Sequence, residues 1–182
     1  PDLIEQIDKI YKKPPVSADN DHSCRIGDLT RDLLVTLKFE GKPVSYLLAT
    51  AKKGKGEDPF LSLVALMRKV KGDPNARTPS MALALIDVVE NNVTLNGDNP
   101  SLARDYVSQC ALDILAVTIC DPETALTERL DHRLADIHDS KNRFSADIRA
   151  CALRIRGKIA GFRHSAEQSF PSKNSGRRIC GL

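Results

Sequence analysis

The sequence predicts an all-α fold, a single multi-helix domain of mainly antiparallel helices, and three observations support this prediction. Hydrophobic residues make up 41% of the 182 positions, but aromatic residues make up only 4% and tryptophan is absent. That mixture favours packed helices over sheets. Four dipeptides place a capping side chain directly before a proline, as helix starts do. Apolar residues then recur every three or four positions after each dipeptide.

The four cap-proline pairs set the order of the central helices. They are Asp58-Pro59, Thr78-Pro79, Asn99-Pro100 and Asp121-Pro122. The cap oxygen accepts a backbone N–H that has no partner inside the helix, and proline at the first helical position loses no hydrogen bond. Successive pairs lie roughly 20 residues apart, the length of one helix and a short turn. We therefore expect four consecutive antiparallel helices.

Each of these four segments carries an apolar stripe that we expect to face the core. The predicted core positions are Leu63, Leu66, Met67 and Val70; Met81, Leu85, Val88, Val89 and Leu95; Leu102, Tyr106, Cys110, Ile114 and Val117; and Leu126, Leu130, Leu134 and Ile137. Glycine, asparagine and proline close the segments, for example at Gly72-Asp73-Pro74.

Further helices are expected on both sides of these four. Before them we predict helices over residues 3–11 and 27–39, with a polar loop over residues 17–22, and a shorter helical piece over residues 44–51. After them we predict a basic helix over residues 146–163.

Two segments are expected to be loose. Lysines and glycines alternate at residues 52–56, which indicates a solvated linker between helices. Residues 1–170 form the predicted domain, and residues 171–182 form a loose C-terminal tail.

Composition excludes several classes of protein. The net charge of +3 is too small to indicate a nucleic-acid partner, and no apolar run approaches the roughly 20 residues that cross a bilayer. Five cysteines at irregular spacing indicate a reducing compartment and not a disulfide framework. His22 and Cys24 lack the second ligand pair that a zinc site needs, so we assign no metal and no cofactor.

Cys120 is the residue whose local chemistry stands out. It precedes a predicted helix start, where backbone amides and the helix dipole favour a thiolate. Asp121 and Glu123 place carboxylates beside it, although a helix cap and a favourable first-turn charge explain them equally well. Cys120 also ends an apolar stripe, so a structural role as a small buried thiol stays open.

A second candidate site is the basic helix near the end of the chain. Its cations are Arg149, Arg154, Arg156, Lys158 and Arg163. Such a cluster can bind an acidic protein partner, but a solvated helix face has the same composition. The absence of interleaved aromatic residues argues against single-stranded nucleic acid.

The order of elements resembles the novel E3 ubiquitin ligase (NEL) domain of bacterial type III effectors. The resemblance runs from Phe60 through Asn75-Ala76-Arg77 and residues 99–104 to Cys120, and on to Ala125-Leu126-Thr127 and Ile137-His138. Where the family has an aspartate two residues after its cysteine, this chain has Pro122, with an acidic residue on either side.

The NEL resemblance implies a function and a setting. It implies that Cys120 accepts ubiquitin from an E2 enzyme as a thioester and passes it to a lysine of a host protein. It further implies a secreted bacterial effector that acts in the host cytoplasm, with Asp121 or Glu123 assisting the incoming amine. Residues 60–97 also resemble a helix pair of VHS or HEAT-type adaptor domains. The alternative function is therefore a non-catalytic helical protein-interaction module.

Overall fold

The computed structural model describes residues 2–12, 20–94, 102–119 and 128–169, and these residues form eight α-helices and no strand. In chain order the helices are α1 (Leu3–Lys12), α2 (Asn20–Phe39), α3 (Val44–Lys53), α4 (Asp58–Gly72), α5 (Pro79–Thr94), α6 (Leu102–Thr118), α7 (Glu128–Asp139) and α8 (Ala146–Ser169). A short 3-10 turn, Pro74–Ala76, follows α4. The all-α prediction is confirmed.

The helices pack as neighbouring pairs around one core. α3 packs on α4, α5 on α6 and α7 on α8, while α6 also contacts α4 and α8 and so occupies the centre. The core consists mainly of leucine and isoleucine, and the side chains of Leu66, Leu85 and Leu112 are fully buried in it. α1 packs on α2 at the edge of the molecule.

Three of the four predicted apolar stripes face the core where they are described. In α4, α5 and α7, Leu63, Leu85 and Leu134 are buried as predicted. The stripe of α6 is confirmed in part, because Ile114 is buried and Cys110 and Val117 are partly buried against the core. Tyr106 is predicted wrongly, since it is exposed while Val107 and Ala111 are buried. α6 contacts three helices and is apolar on most of its circumference, so a single stripe could not be read from its period.

The cap-proline pairs are confirmed in one case and corrected in another. Thr78 caps α5, since its Oγ1 accepts the backbone N–H of Met81 at 3.2 Å. Asp58 does not cap α4, because the N-cap position is Glu57, one residue earlier. The Asp58 carboxylate instead accepts a hydrogen bond from Lys38 Nζ at 3.0 Å. The pairs at Asn99 and Asp121 lie outside the described residues.

The predicted boundaries of the flanking helices also need correction. Residues 20–22 form the first turn of α2 and not part of a polar loop, because polar residues suit a first helical turn as well as they suit a loop. α8 continues to Ser169, six residues beyond its predicted end. The predicted tail, residues 171–182, lies outside the described part of the chain.

The segment over residues 52–56 is only in part the solvated linker that the sequence indicates, since Lys55 and Gly56 are exposed between two helices but the residues before them are not a loose connection. Lys52 and Lys53 belong to the last turn of α3, and Lys52 Nζ lies 3.2 Å from the Asp87 carboxylate of α5. Gly54 lies between the end of α3 and the start of α4, and a Cβ there would stand 2.5 Å from the Thr50 carbonyl oxygen of α3 and 3.1 Å from the Pro59 ring of α4. The two helices therefore meet at a close-packed corner.

Among the described helices none is long and apolar enough to cross a membrane.

Candidate functional site

The cysteine that the sequence singles out stands outside the described residues, and so do both of its neighbouring carboxylates. These residues are Cys120, Asp121 and Glu123. The structure describes the residues directly before them. Ile119 and Thr118 are fully buried, and Thr118 Oγ1 donates to the Ile114 carbonyl oxygen at 2.9 Å. The end of α6 is thus anchored in the core up to the residue before Cys120.

The two cysteines whose side chains the structure describes, Cys110 and Cys151, have environments unlike that of an activated nucleophile. Burial, with a smaller contribution from the nearby Asp113 carboxylate, raises the pKa of the Cys110 thiol to about 12. Cys151 is buried in α8, and its Sγ accepts a hydrogen bond from Gln109 Nε2 at 3.5 Å. Cys110 is therefore a protonated thiol at neutral pH, and both side chains contribute to packing.

The structure separates the five predicted cations of α8. Arg154 and Lys158 are exposed, whereas Arg156 Nε bonds the Asp131 carboxylate of α7 at 3.1 Å. Arg149 is half-buried, and its Nε is buried with no hydrogen-bond partner among the described residues. The Arg163 side chain lies outside the described residues. The exposed part of this cluster is thus smaller than the sequence suggests.

The two histidines of α7 also lie apart. His132 is exposed, while His138 Nδ1 lies 3.3 Å from the Arg149 carbonyl oxygen of α8. His138 thus contacts a carbonyl of the neighbouring helix α8. No group of three potential metal-ligating side chains occurs within the described ranges.

A network of charges joins α3, α5 and α7. Arg133 donates to both carboxylate oxygens of Glu90, at 3.1 and 2.6 Å, and its Nη2 lies 2.7 Å from Asp87 Oδ1. Burial alone would raise the pKa of Asp87, but hydrogen bonds from Arg133 and Lys52 outweigh it and hold the pKa below its usual value. These charged groups are paired with one another, so the network stabilises the fold and offers no free acid or base.

A cavity of about 280 Å³ lies where the end of α2 meets α3 and α4. Its apolar lining consists of Val35, Phe39, Leu47 and Ala65. Gly41, whose φ of +73° is in the left-handed region, lets the chain turn tightly along one wall.

Charged side chains complete the lining of this cavity. Lys42, Arg68 and Lys69 supply three cations, and Glu40 supplies the single carboxylate. Arg68 Nη2 donates to Asp32 at 2.7 Å, which holds the guanidinium on the side of α2. Lys69 Nζ donates to the Lys42 carbonyl oxygen at 3.3 Å. The cavity therefore combines an apolar lining with an excess of positive charge.

Sequence reasoning missed this cavity for a clear reason. Its cations come from two segments more than 20 residues apart, and no local motif contains them.

Comparisons with known protein families, curated proteins and solved structures gave no match for this chain.

Proposed function

We propose that this chain is a helical protein-interaction module that binds an acidic segment of a partner protein at the cavity between α2, α3 and α4. The observation that carries the proposal is the composition of the cavity, in which three cations and one carboxylate surround an apolar lining. Ligand sites in proteins combine these features, with apolar walls for affinity and a few charges for orientation.

The volume and charge of the cavity define the segment that fits. A space of about 280 Å³ holds one or two aliphatic side chains and not a large cofactor. Lys42, Arg68 and Lys69 favour carboxylates on either side of those side chains. Lys42 is exposed and Lys69 is half-buried, so both ammonium groups can turn toward a ligand, whereas the Arg68 guanidinium is held by Asp32.

A peptide-binding experiment tests this proposal. A fluorescein-labelled peptide with two leucines flanked on each side by two glutamates should bind the chain, and rising salt should weaken the binding. Lys42→Glu together with Lys69→Glu should weaken it by about 100-fold, because two attractive charges become repulsive. Fluorescence anisotropy measures the change.

Two controls decide the outcome. Lys71→Glu changes an exposed lysine of α4 that does not line the cavity, and it should leave the affinity within about twofold of the wild type. A peptide with lysines in place of the glutamates should not bind. Equal affinity for the two peptides, or equal effects of the Lys71 and Lys42/Lys69 variants, contradicts the proposal.

A second proposal keeps the ligase chemistry that the NEL resemblance implies. The Cys120 thiolate attacks the thioester between an E2 enzyme and ubiquitin, and the E2 cysteine leaves as a thiol. A substrate lysine then attacks the new thioester, with Asp121 or Glu123 accepting the proton of the amine. The anchored end of α6 supports this proposal, because it fixes the chain one residue before the cysteine. A secreted bacterial effector acting on host proteins in the host cytoplasm is the corresponding biological setting.

An adduct experiment tests the ligase proposal. The chain is mixed with ubiquitin-charged E2 enzymes, and a ubiquitin adduct that thiol reductants cleave should form. Cys120→Ala should abolish it, whereas Cys110→Ala should not, because the Cys110 thiol has a pKa of about 12 and is not ionised. Gel electrophoresis with and without reductant measures the adduct. The absence of an adduct with a broad set of E2 enzymes excludes the reaction, and so does an adduct that survives in Cys120→Ala.

A further inference from the structure

α2 carries an exposed leucine stripe that no described helix covers. The stripe consists of Leu29, Leu33 and Leu37, which are 64%, 51% and 45% exposed. They are spaced four residues apart, so they lie along one side of α2 on successive turns. The opposite side of the helix faces the core through Leu34 and Val35. α2 is therefore apolar on two sides, and the described helices cover only one of them.

α1, the neighbour of α2, also exposes apolar side chains. α1 packs on α2, and its Leu3 and Ile10 are 59% and 43% exposed. α4 occupies another side of α2, where Arg68 bonds Asp32. The two-helix unit of α1 and α2 thus exposes five large apolar side chains, Leu3, Ile10 and the leucine stripe, and we call this set the hairpin face.

The area of the hairpin face is close to what a dimer of this kind requires. The five exposed side chains leave on the order of 450 Å² of apolar surface in water, within the roughly 300 to 600 Å² of the largest apolar patch on a typical monomer, a patch that is often functional. A stable two-fold interface buries about 800 Å² per partner, of which about 65% is apolar in homodimers. The hairpin face can supply most of that apolar part.

The leucine stripe is self-complementary. Leu29 and Leu37 stand four residues before and after Leu33. In an antiparallel pair of α2 helices centred on Leu33, position 29 of each chain therefore lies opposite position 37 of the other chain. The dimer contains two such pairs, one on each side of the two-fold axis. A two-fold interface needs this kind of symmetry, because the same surface must match itself.

Charges beside the stripe are already balanced within the chain. Arg31 Nη2 lies 3.0 Å from Asp28 Oδ1, and Asp32 accepts a hydrogen bond from Arg68 Nη2 at 2.7 Å. These four groups therefore present two neutral pairs to a second copy of the chain and cause little repulsion between the copies. Paired charges around an apolar stripe favour a second copy over a strongly charged partner.

We propose that the hairpin face is the interface of a homodimer in which α2 of one chain packs antiparallel on α2 of a second copy. The Leu33 side chains meet at the two-fold axis, and Leu29 of each chain packs against Leu37 of the other. The proposal is independent of the cavity, which is lined by Val35 and Phe39 on another side of α2.

Analytical ultracentrifugation of the full chain tests the dimer. At tens of micromolar the wild type should sediment as a particle of twice 20.0 kDa. Leu33→Glu and Leu29→Glu should each raise the dissociation constant by about 100-fold or more, because they place carboxylates in the centre of the interface. Circular dichroism should show unchanged helix content, since both side chains are exposed in the single chain.

A matched control makes this test specific to the hairpin face. Leu153→Glu alters a leucine of α8 that is 49% exposed and lies outside the hairpin face, and this variant should remain dimeric. A monomeric wild type overturns the proposal. So does a dimer that resists both Leu29→Glu and Leu33→Glu, or one that Leu153→Glu disrupts.

Disulfide cross-linking tests the antiparallel register. Chains carrying Leu29→Cys are mixed with chains carrying Leu37→Cys and oxidised, and mass spectrometry of the digested dimer identifies which positions are joined. Positions 29 and 37 should be joined readily across the two chains. Two copies of position 29 should not be joined, because eight residues of helix place them about 12 Å apart along the axis. Joining of 29 to 29 or of 37 to 37 in preference to 29 to 37 overturns the antiparallel dimer.

Discussion

Arg133 shows how a single side chain can join three helices. It is only 17% exposed, and it bonds two carboxylates of α5, one of which also bonds Lys52 of α3. These partners lie more than 40 residues away in sequence, so no local pattern could indicate the network. The reverse holds for Cys120. Its neighbours in sequence indicate a reactive thiol, but the residue lies outside the described part of the chain, so its role stays a prediction.

Removing the Arg133 guanidinium should destabilise the fold. Arg133→Ala leaves Asp87 and Glu90 partly buried without their main partner, so we expect the free energy of unfolding to fall by about 2 kcal/mol. Arg154→Ala, which removes an exposed arginine of α8, should change it by less than about 0.5 kcal/mol. Urea denaturation at pH 7 measures both. Equal effects of the two variants would show that the network adds no stability.

The same network predicts a dependence of stability on pH. The pKa of Asp87 in the folded chain lies below its unfolded value of about 3.9, so its charge contributes stability above about pH 4. That contribution is lost as the pH falls through the lowered folded pKa. Between about pH 5 and pH 3 the wild type should therefore lose more stability than Arg133→Ala, in which the main cause of the lowered pKa is absent. Urea denaturation across this range tests the prediction, and parallel pH profiles contradict it.

Among the secondary-structure elements, the residue at which a helix starts was easier to predict than which of its side chains are buried against other helices. Thr78-Pro79 was predicted correctly because a cap and a first-turn proline act within a few residues. Asp58-Pro59 has the same local signal, but Gly56 at a φ of +62° lets the chain turn earlier and leaves Asp58 to bond Lys38. The burial of α6 depends on three neighbouring helices, which its own sequence does not identify.

Two glycine substitutions should have opposite effects on the stability of their elements. Gly54→Ala adds a Cβ 2.5 Å from a carbonyl oxygen at the corner between α3 and α4, and it should cost about 1 to 3 kcal/mol. Gly157→Ala adds a Cβ within α8 where, apart from the backbone of its own turn, no described atom lies within 4 Å, and it should stabilise the chain by about 0.5 to 1 kcal/mol. Thermal unfolding followed by circular dichroism measures both changes. Stabilisation by Gly54→Ala would show that the corner is not close-packed, and destabilisation by Gly157→Ala would contradict the open space beside α8.

For the whole molecule, the all-α class followed from composition, caps and periodicity, which are independent of one another. The cavity and the hairpin face did not follow, because each is a product of helix packing. Lys42 and Arg68 meet only when α4 lies against the end of α2. Leu33 has the spacing of a core residue, and its exposure depends on which side of α2 the other helices occupy.

The position of α1 at the edge has a consequence for the order in which the molecule opens. A ten-residue helix has little stability alone, and α1 packs chiefly on α2. It can therefore detach while the core around α6 stays folded, so its amide hydrogens should exchange with solvent sooner than those of α6. A second copy on the hairpin face would close this local opening, and protection of α1 would then rise with protein concentration. Under the dimer proposal, α1 is thus the helix whose protection from exchange would report on assembly.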